Sequence, residues 1–166
     1  MTEKNKIKTL EELKEIIENL KGKNKKIVWT NGCFDLIHEG HIKYLKKARE
    51  IGDCLVLGLN SDSSIRQIKG PGRPIRPEKA RAEIISSFEF VDYVLIFSEV
   101  DATKHLSVLK PDVYVKSGNY TLETIHQGER AVVEGYGGKI VLIPSIDDIS
   151  TSKIIDRIRN SDKKNL

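Results

Sequence analysis

From Ile27 onward, short apolar runs alternate with stretches of helical periodicity, and no other feature constrains the fold as tightly. The runs occupy residues 27–30, 54–60, 91–97, 112–116 and 139–143. They are rich in Val, Ile and Leu and nearly continuous, as strands covered on both faces must be. Helical patterns fill the intervals at 40–51, 78–88, 102–109 and 121–134, and a last helix runs from 151 to 159. Strands alternating with helices predict one α/β domain built on a doubly wound, five-stranded parallel sheet.

Ahead of this pattern, Thr9 followed by Glu12 forms a capping box, in which a hydroxyl and a carboxylate three residues apart satisfy the first helical N–H groups. Leu10, Leu13, Ile16, Ile17 and Leu20 then keep helical spacing until Gly22. The organisation read from the chain is an N-terminal helix with a lysine-rich lead-in at 1–26, a main domain at 27–160 and a flexible tail at 161–166. The helix leans on the main domain rather than forming one of its own.

Of the 166 residues, 39% are hydrophobic and 31% charged, and no apolar run approaches the roughly 20 residues that span a bilayer. The first residues carry charge without a following apolar stretch, unlike a secretory signal, so a cytoplasmic location without membrane association is expected. Cys33 and Cys54 are the two cysteines; they read as reduced thiols, and no Cys/His cluster has zinc-site spacing, so no metal ligands are assigned. The net charge of +4 suits anionic partners, but much of it lies in lysine-rich ends where solvation explains it equally well.

In open parallel sheets, ligands bind beyond the carboxyl ends of the strands. The segments to inspect are therefore 31–41, 61–77, 117–120 and 144–152. In the first, Asn31-Gly32-Cys33-Phe34-Asp35 leaves strand one and His38-Glu39-Gly40-His41 enters a helix. N–H groups at such a turn, together with the helix N-terminus, attract phosphate. His38 and His41 are three apart and face one ligand if the helix begins between them, and Gly40 leaves room for a base or ribose. The bland reading is that the histidines only cap the helix.

At the far end, Ser150, Thr151 and Ser152 sit where a loop becomes the last helix, as N-caps or as a second anion-binding terminus. Residues 68–77 hold three prolines, two glycines and spaced basic residues, so they read as a loop carrying Lys69, Arg73 and Arg76 that closes over a bound ligand. Arg81 follows on the next helix. Lys116, Ser117, Gly118 and Asn119 close strand four.

The His38-Glu39-Gly40-His41 stretch resembles the HxGH signature of the nucleotidyltransferase superfamily, with its Rossmann-like fold. With Thr30-Asn31-Gly32-Cys33-Phe34-Asp35 before it, the chain is most similar to the bacterial heptose-1-phosphate adenylyltransferases over nearly its whole length. That resemblance implies transfer of AMP from ATP to a sugar 1-phosphate, D-glycero-β-D-manno-heptose 1-phosphate foremost, giving an ADP-sugar for surface-glycan synthesis and pyrophosphate. It implies catalytic roles for His38, His41, Lys69 and Arg81. Nucleotide contacts follow for Asn31, Gly32, Cys33, Phe34, Gly40, Lys116, Gly118, Asn119, Ser150, Thr151 and Ser152. Acceptor contacts follow for Asp35, Lys69 and Arg73. Mg²⁺ arrives with ATP, since no dedicated carboxylate cage is visible, and a homo-oligomer is expected.

The chain departs from the family's usual Val-Lys-Gly-Gly-Asp-Tyr at Ser117 and Asn119, where a carboxylate is lost. Two alternatives share the chemistry: a glycerol-3-phosphate cytidylyltransferase and an FAD synthetase-like enzyme. A third, a non-catalytic nucleotide- or nucleic-acid-binding module, draws on the basic balance. Few aromatics cluster for base stacking, so no nucleic-acid partner is expected.

Overall fold

The computed structural model describes residues 5–145 and 148–162. Five strands, β1 (Ile27–Gly32), β2 (Cys54–Asn60), β3 (Tyr93–Phe97), β4 (Val113–Ser117) and β5 (Lys139–Ile143), form one all-parallel sheet in the order β3-β2-β1-β4-β5. The chain winds outward from β1 to β3, then crosses back to lay β4 on the other side of β1. Strand order therefore reverses between β1 and β4, the place where such sheets open a crevice.

Side chains alternate across the pleat and build two cores. Val28, Leu55, Leu57 and Val113 face one side, beneath α2 (Glu39–Glu50) and α4 (Glu78–Ser86), which contribute Leu45, Ala48 and Ile85. Ile27, Trp29, Val56 and Tyr114 face the other. There Leu13 and Ile17 of α1 (Leu10–Gly22) meet Leu106 of α5 (Thr103–Leu109) and Val133 of α6 (Gln127–Gly135). The Thr9–Glu12 capping box forms as read, with Glu12 N–H donating to Thr9 Oγ1 at 3.2 Å and Thr9 N–H donating to Glu12 Oε2 at 2.8 Å. Ahead of it, Ile7 bridges Val94 in parallel, through Val94 N–H to the Lys6 carbonyl and Lys8 N–H to the Val94 carbonyl, both 2.9 Å. This bridge covers part of the edge strand's free backbone.

Several boundaries differ from the sequence expectation, each for a local reason. The β1 ladder continues to Gly32, paired with Leu59, two residues beyond the apolar run at 27–30. A helix absent from the sequence reading, α3 (Asp62–Lys69), follows β2; Ser61 caps it by accepting from Ser64 N–H at 3.2 Å. Its sequence is mostly polar and buries only Ser64 and Ile65, leaving little apolar period to detect. Lys69 therefore closes a helix instead of sitting in a loop. Residues 121–126 precede α6 as turns, with Thr121 N–H donating to Thr124 Oγ1 at 2.8 Å. The last helix, α7 (Thr151–Asp162), runs into the expected tail, whose remainder, 163–166, lies outside the described residues. Among the described residues, no helix is long and apolar enough to cross a membrane.

Candidate active site

A cavity of about 810 Å³ opens at the carboxyl ends of the strands, between the β1 and β4 termini. His38 is the N-cap of α2 and His41 its third residue, so the helix does begin between them. Their rings stack at 3.8 Å between centroids and 29° between planes, and Phe34 tilts against His41 at 5.1 Å. Gly40 makes this possible in a way the sequence reading did not anticipate. A Cβ there would stand 3.0 Å from the His38 ring and 3.8 Å from Ile149, so the missing side chain makes room for the imidazole.

The His38 N–H lies 3.4 Å from His41 Nδ1, which makes Nδ1 the acceptor and leaves the proton on Nε2. Burial, then the His38 and Lys69 charges, pulls the His41 pKa down to about 4. His41 is thus a neutral donor at physiological pH, and Lys69 supplies positive charge at the cavity wall. Burial pushes the Cys33 thiol up, so this cavity-lining sulfur stays protonated.

On the β4 side, Gly118 has φ +126, a conformation that favours glycine, and its N–H donates to the Ile143 carbonyl at 3.1 Å. Ser117 occupies the last ladder position of β4, opposite Ile143, without a positive φ, so replacing a glycine there strains nothing. Lys116 Nζ rests 5.6 Å from the Tyr120 ring centroid. Across the cavity, Ser150 caps α7 by accepting from Lys153 N–H at 3.2 Å, and Thr151 Oγ1 donates to the Leu36 carbonyl at 3.2 Å. Capping accounts for Ser150, and the Thr151 bond ties α7 to the loop that carries the histidines. Ser152 is exposed at the same wall.

Of the residues read from the sequence, His38, His41, Lys69, Asn31, Gly32, Cys33, Phe34, Asp35, Gly40, Lys116, Gly118, Asn119, Ser150, Thr151 and Ser152 all line this one cavity. Arg73 and Arg81 do not. Arg81, expected at the reacting phosphates, is 0% exposed. It donates to the carbonyls of Cys33 (2.7 Å), Asn60 (2.8 Å) and Arg76 (2.9 Å) and to Asp62 Oδ1 (2.8 Å). With four of its five N–H groups committed, it fastens the β1 and β2 ends to α3 and the following loop.

Arg73 is likewise turned inward, Nε donating to Asp35 Oδ2 at 2.7 Å. The fully buried Asp35 carboxylate also accepts from Ile75 N–H (2.9 Å) and Arg76 N–H (3.0 Å). Burial raises its pKa, but these donors outweigh it, so the group stays ionised below the usual carboxylate range. Asp35 and Arg73 therefore staple residues 73–76 to the end of β1, with Arg73 Nη2 left buried and without a hydrogen-bond partner among the described residues.

Asp101, His126 and Glu129 were missed. They come from the loop after β3 and the start of α6, separated in sequence, and place potential ligand atoms within 4.8 Å of one another on the cavity wall. The signal that could have found them is a second His-x-Gly, His126-Gln127-Gly128, at a helix N-terminus.

Residues 29–157 match the cytidylyltransferase-like family model. The bifunctional protein HldE of Geobacter metallireducens is 51% identical over 153 residues, and that of Syntrophotalea carbinolica 48%; each alignment covers 92% of this chain. The chain spans 31% of the length of these relatives. Among solved structures, a lipopolysaccharide core biosynthesis protein from Thermoplasma volcanium superposes with a TM-score of 0.63 at 31% identity, over 74% of this chain and 99% of that one. A pantoate-β-alanine ligase from Francisella tularensis, with TM-score 0.62, 17% identity and coverage of 85% and 67%, shares the fold. With its parallel sheet, its helix-capping histidine pair and a family match across most of its length, the chain belongs to the cytidylyltransferase-like family.

Proposed function

We propose that this chain is a nucleotidyltransferase that transfers AMP from ATP to a sugar 1-phosphate, D-glycero-β-D-manno-heptose 1-phosphate being the preferred acceptor. The observation that carries the reading is the stacked His38–His41 pair at the α2 N-terminus, sharing one cavity with the α7 N-terminus and Lys69. Two helix N-termini facing one cavity suit a polyphosphate. The similarity to HldE proteins and to a lipopolysaccharide core biosynthesis protein supports the heptose acceptor and a role in surface-glycan synthesis. A cytoplasmic setting and assembly as a homo-oligomer belong to the same reading; sedimentation of the purified chain tests the latter.

A sugar phosphate oxygen is already anionic at neutral pH, so no general base is required. The oxygen attacks the α-phosphorus of ATP, a new P–O bond forms, and the bond to the bridging oxygen breaks to release pyrophosphate. The protein's contribution is alignment and charge stabilisation. His41 donates from Nε2, His38 lies against it, and Lys69 draws the anions together. Ser152 and the α7 N–H groups hold the departing pyrophosphate. Arg81 acts at a distance, holding the Cys33 and Asn60 carbonyls in place.

Mg²⁺ accompanies the nucleotide in this reading. Of the cavity carboxylates, Asp35 and Glu129 are committed to protein donors, Asp148 pairs with Lys153, and Asp101 has one oxygen taken by Thr103 N–H, so the residues fit an ion held mainly by phosphates and water. It neutralises phosphate charge when bound.

A pyrophosphate-release screen of ATP, CTP and GTP against both heptose 1-phosphate anomers, glycerol 3-phosphate and flavin mononucleotide tests the assignment. Activity is expected with ATP and a heptose 1-phosphate. Activity confined to CTP with glycerol 3-phosphate overturns the acceptor, and no pyrophosphate from any pair overturns the reaction. His38→Ala and His41→Ala are each expected to lower turnover roughly 10²-fold or more.

A further inference from the structure

The start of α6 repeats the local architecture of the start of α2. His126 is the N-cap of α6 as His38 is of α2, each followed two residues later by a glycine. In both, a Cβ on that glycine would stand 3.0 Å from the imidazole Cε1, so in both the ring lies over the first helical turn. Both histidines line the same cavity. The first serves the phosphates in the reading above; the second has no role in it.

The His126 ring is fixed in orientation. Its Nδ1 accepts from Glu129 N–H at 3.3 Å, so the neutral imidazole carries its proton on Nε2. Nε2 lies 3.8 Å from Asp101 Oδ2, too far for a hydrogen bond between them. Asp101 is held from its other oxygen, Oδ1 accepting from Thr103 N–H at 2.9 Å. Donation by the Thr103 hydroxyl, more than by anything else, keeps its pKa below the usual carboxylate range.

Buried Glu129 fastens the two segments together. Its Oε1 takes Ala102 N–H at 2.8 Å and faces Asn31 Nδ2 at 3.4 Å, while Oε2 takes the Tyr114 hydroxyl. The result is an N–H donor and an anionic acceptor facing each other across a gap, both half-exposed to the cavity. A cation suits this set poorly, because the nearest imidazole nitrogen presents a proton and the Glu129 oxygens are occupied. A hydroxyl suits it well, since one oxygen can accept from Nε2 and donate to Oδ2.

We propose that Asp101 and His126 form a clasp for a sugar hydroxyl, setting which sugar-bearing substrate the cavity accepts. The inference rests on the nucleotidyltransferase reading, in which two sugars enter this cavity: the ribose of the nucleotide and the body of the acceptor. Both present the same chemistry to the clasp, and the experiment separates them.

Two conservative variants isolate the clasp from folding. Asp101→Asn keeps an acceptor for Thr103 and replaces the outward acceptor with a donor. His126→Ser keeps an N-cap acceptor for α6 and removes the outward donor. In each, KM for one sugar-bearing substrate is expected to rise roughly tenfold or more, as for loss of a hydrogen bond to a charged group. The KM of the other substrate, kcat and Tm are expected to stay near wild type.

Deoxy analogues locate the source. If the clasp holds ribose, the wild-type penalty for 2′- or 3′-deoxy-ATP disappears in Asp101→Asn. If it holds the acceptor, the penalty for a deoxy sugar 1-phosphate disappears instead. Unchanged KM values for both substrates in both variants overturn the clasp. So does stoichiometric Mn²⁺ or Zn²⁺ bound by the wild type and lost in His126→Ser, which makes the cluster a metal site. If the wild type releases no pyrophosphate with any sugar phosphate, the functional reading fails by itself. Equilibrium titration with α,β-methylene-ATP and with sugar 1-phosphates then still reads the clasp, and equal Kd values in wild type and variants overturn it.

Discussion

At the scale of single residues, Gly40 and His41 show how little sequence the site needs and how much packing decides. The pair His38 and His41 was legible because three-residue spacing at a helix start puts both on one ligand. The reason for the glycine was not, because the ring that fills its space belongs to a neighbour whose orientation no spacing reveals. Gly40→Ala is expected to leave stability within about 1 kcal/mol, since alanine's better helix propensity offsets the 3.0 Å contact. Turnover should nonetheless fall at least tenfold as the His38 ring is displaced; thermal unfolding and pyrophosphate release measured together check both halves. His41 gives a second prediction. Its folded pKa, about 4, lies below the ordinary 6.5, so the unfolded chain binds the extra proton between those values. Stability contributed by neutral His41 is therefore complete above pH 6.5 and lost as pH falls towards 4. Urea titrations across that window should show a shallower decline in His41→Asn than in wild type, and equal slopes would place the proton elsewhere.

At the scale of elements, strands buried on both faces were readable because their apolar runs are continuous, whereas α3 was not, because it buries only Ser64 and Ile65. The same limit misplaced the basic residues. A run of Lys, Arg, Pro and Gly reads as a loop with free charges, yet charge says nothing of direction. Arg73 and Arg81 turn inward because Asp35, Asp62 and three carbonyls at strand and loop positions attract them more than solvent does. Asp35→Ala should accordingly behave as a structural lesion. It strands Arg73 and two loop N–H groups, and removing one partner of a buried pair costs about 3–5 kcal/mol. Protease cleavage within 70–76 should accelerate in the variant with or without ATP. Cleavage unchanged from wild type would mean that the Asp35 staple does not hold the loop.

At the scale of the whole molecule, the question is whether the N-terminal helix is an attachment or part of the fold. Sequence reading set 1–26 apart because its helical period precedes the strand–helix alternation. In the structure, Leu13 is 0% and Ile17 2% exposed, and both belong to the core that covers Trp29 and Tyr114. The bridge between Ile7 and Val94 adds a backbone tie at the opposite edge of the sheet from β5. If α1 is integral, there is no cost-free way to remove it, and one cooperative transition should include it. Trp29 is the single tryptophan and is fully buried in that core, so its fluorescence reports on the α1 side while far-UV circular dichroism reports on the whole chain. Leu13→Ala is expected to destabilise by about 2–5 kcal/mol, as for other large-to-small changes in a closed core. Both probes should shift to lower urea together, because coincident transitions are the mark of a single cooperative unit. A Trp29 transition that moves ahead of the circular dichroism would instead show α1 detaching first, leaving the sheet and its histidine pair to stand without it.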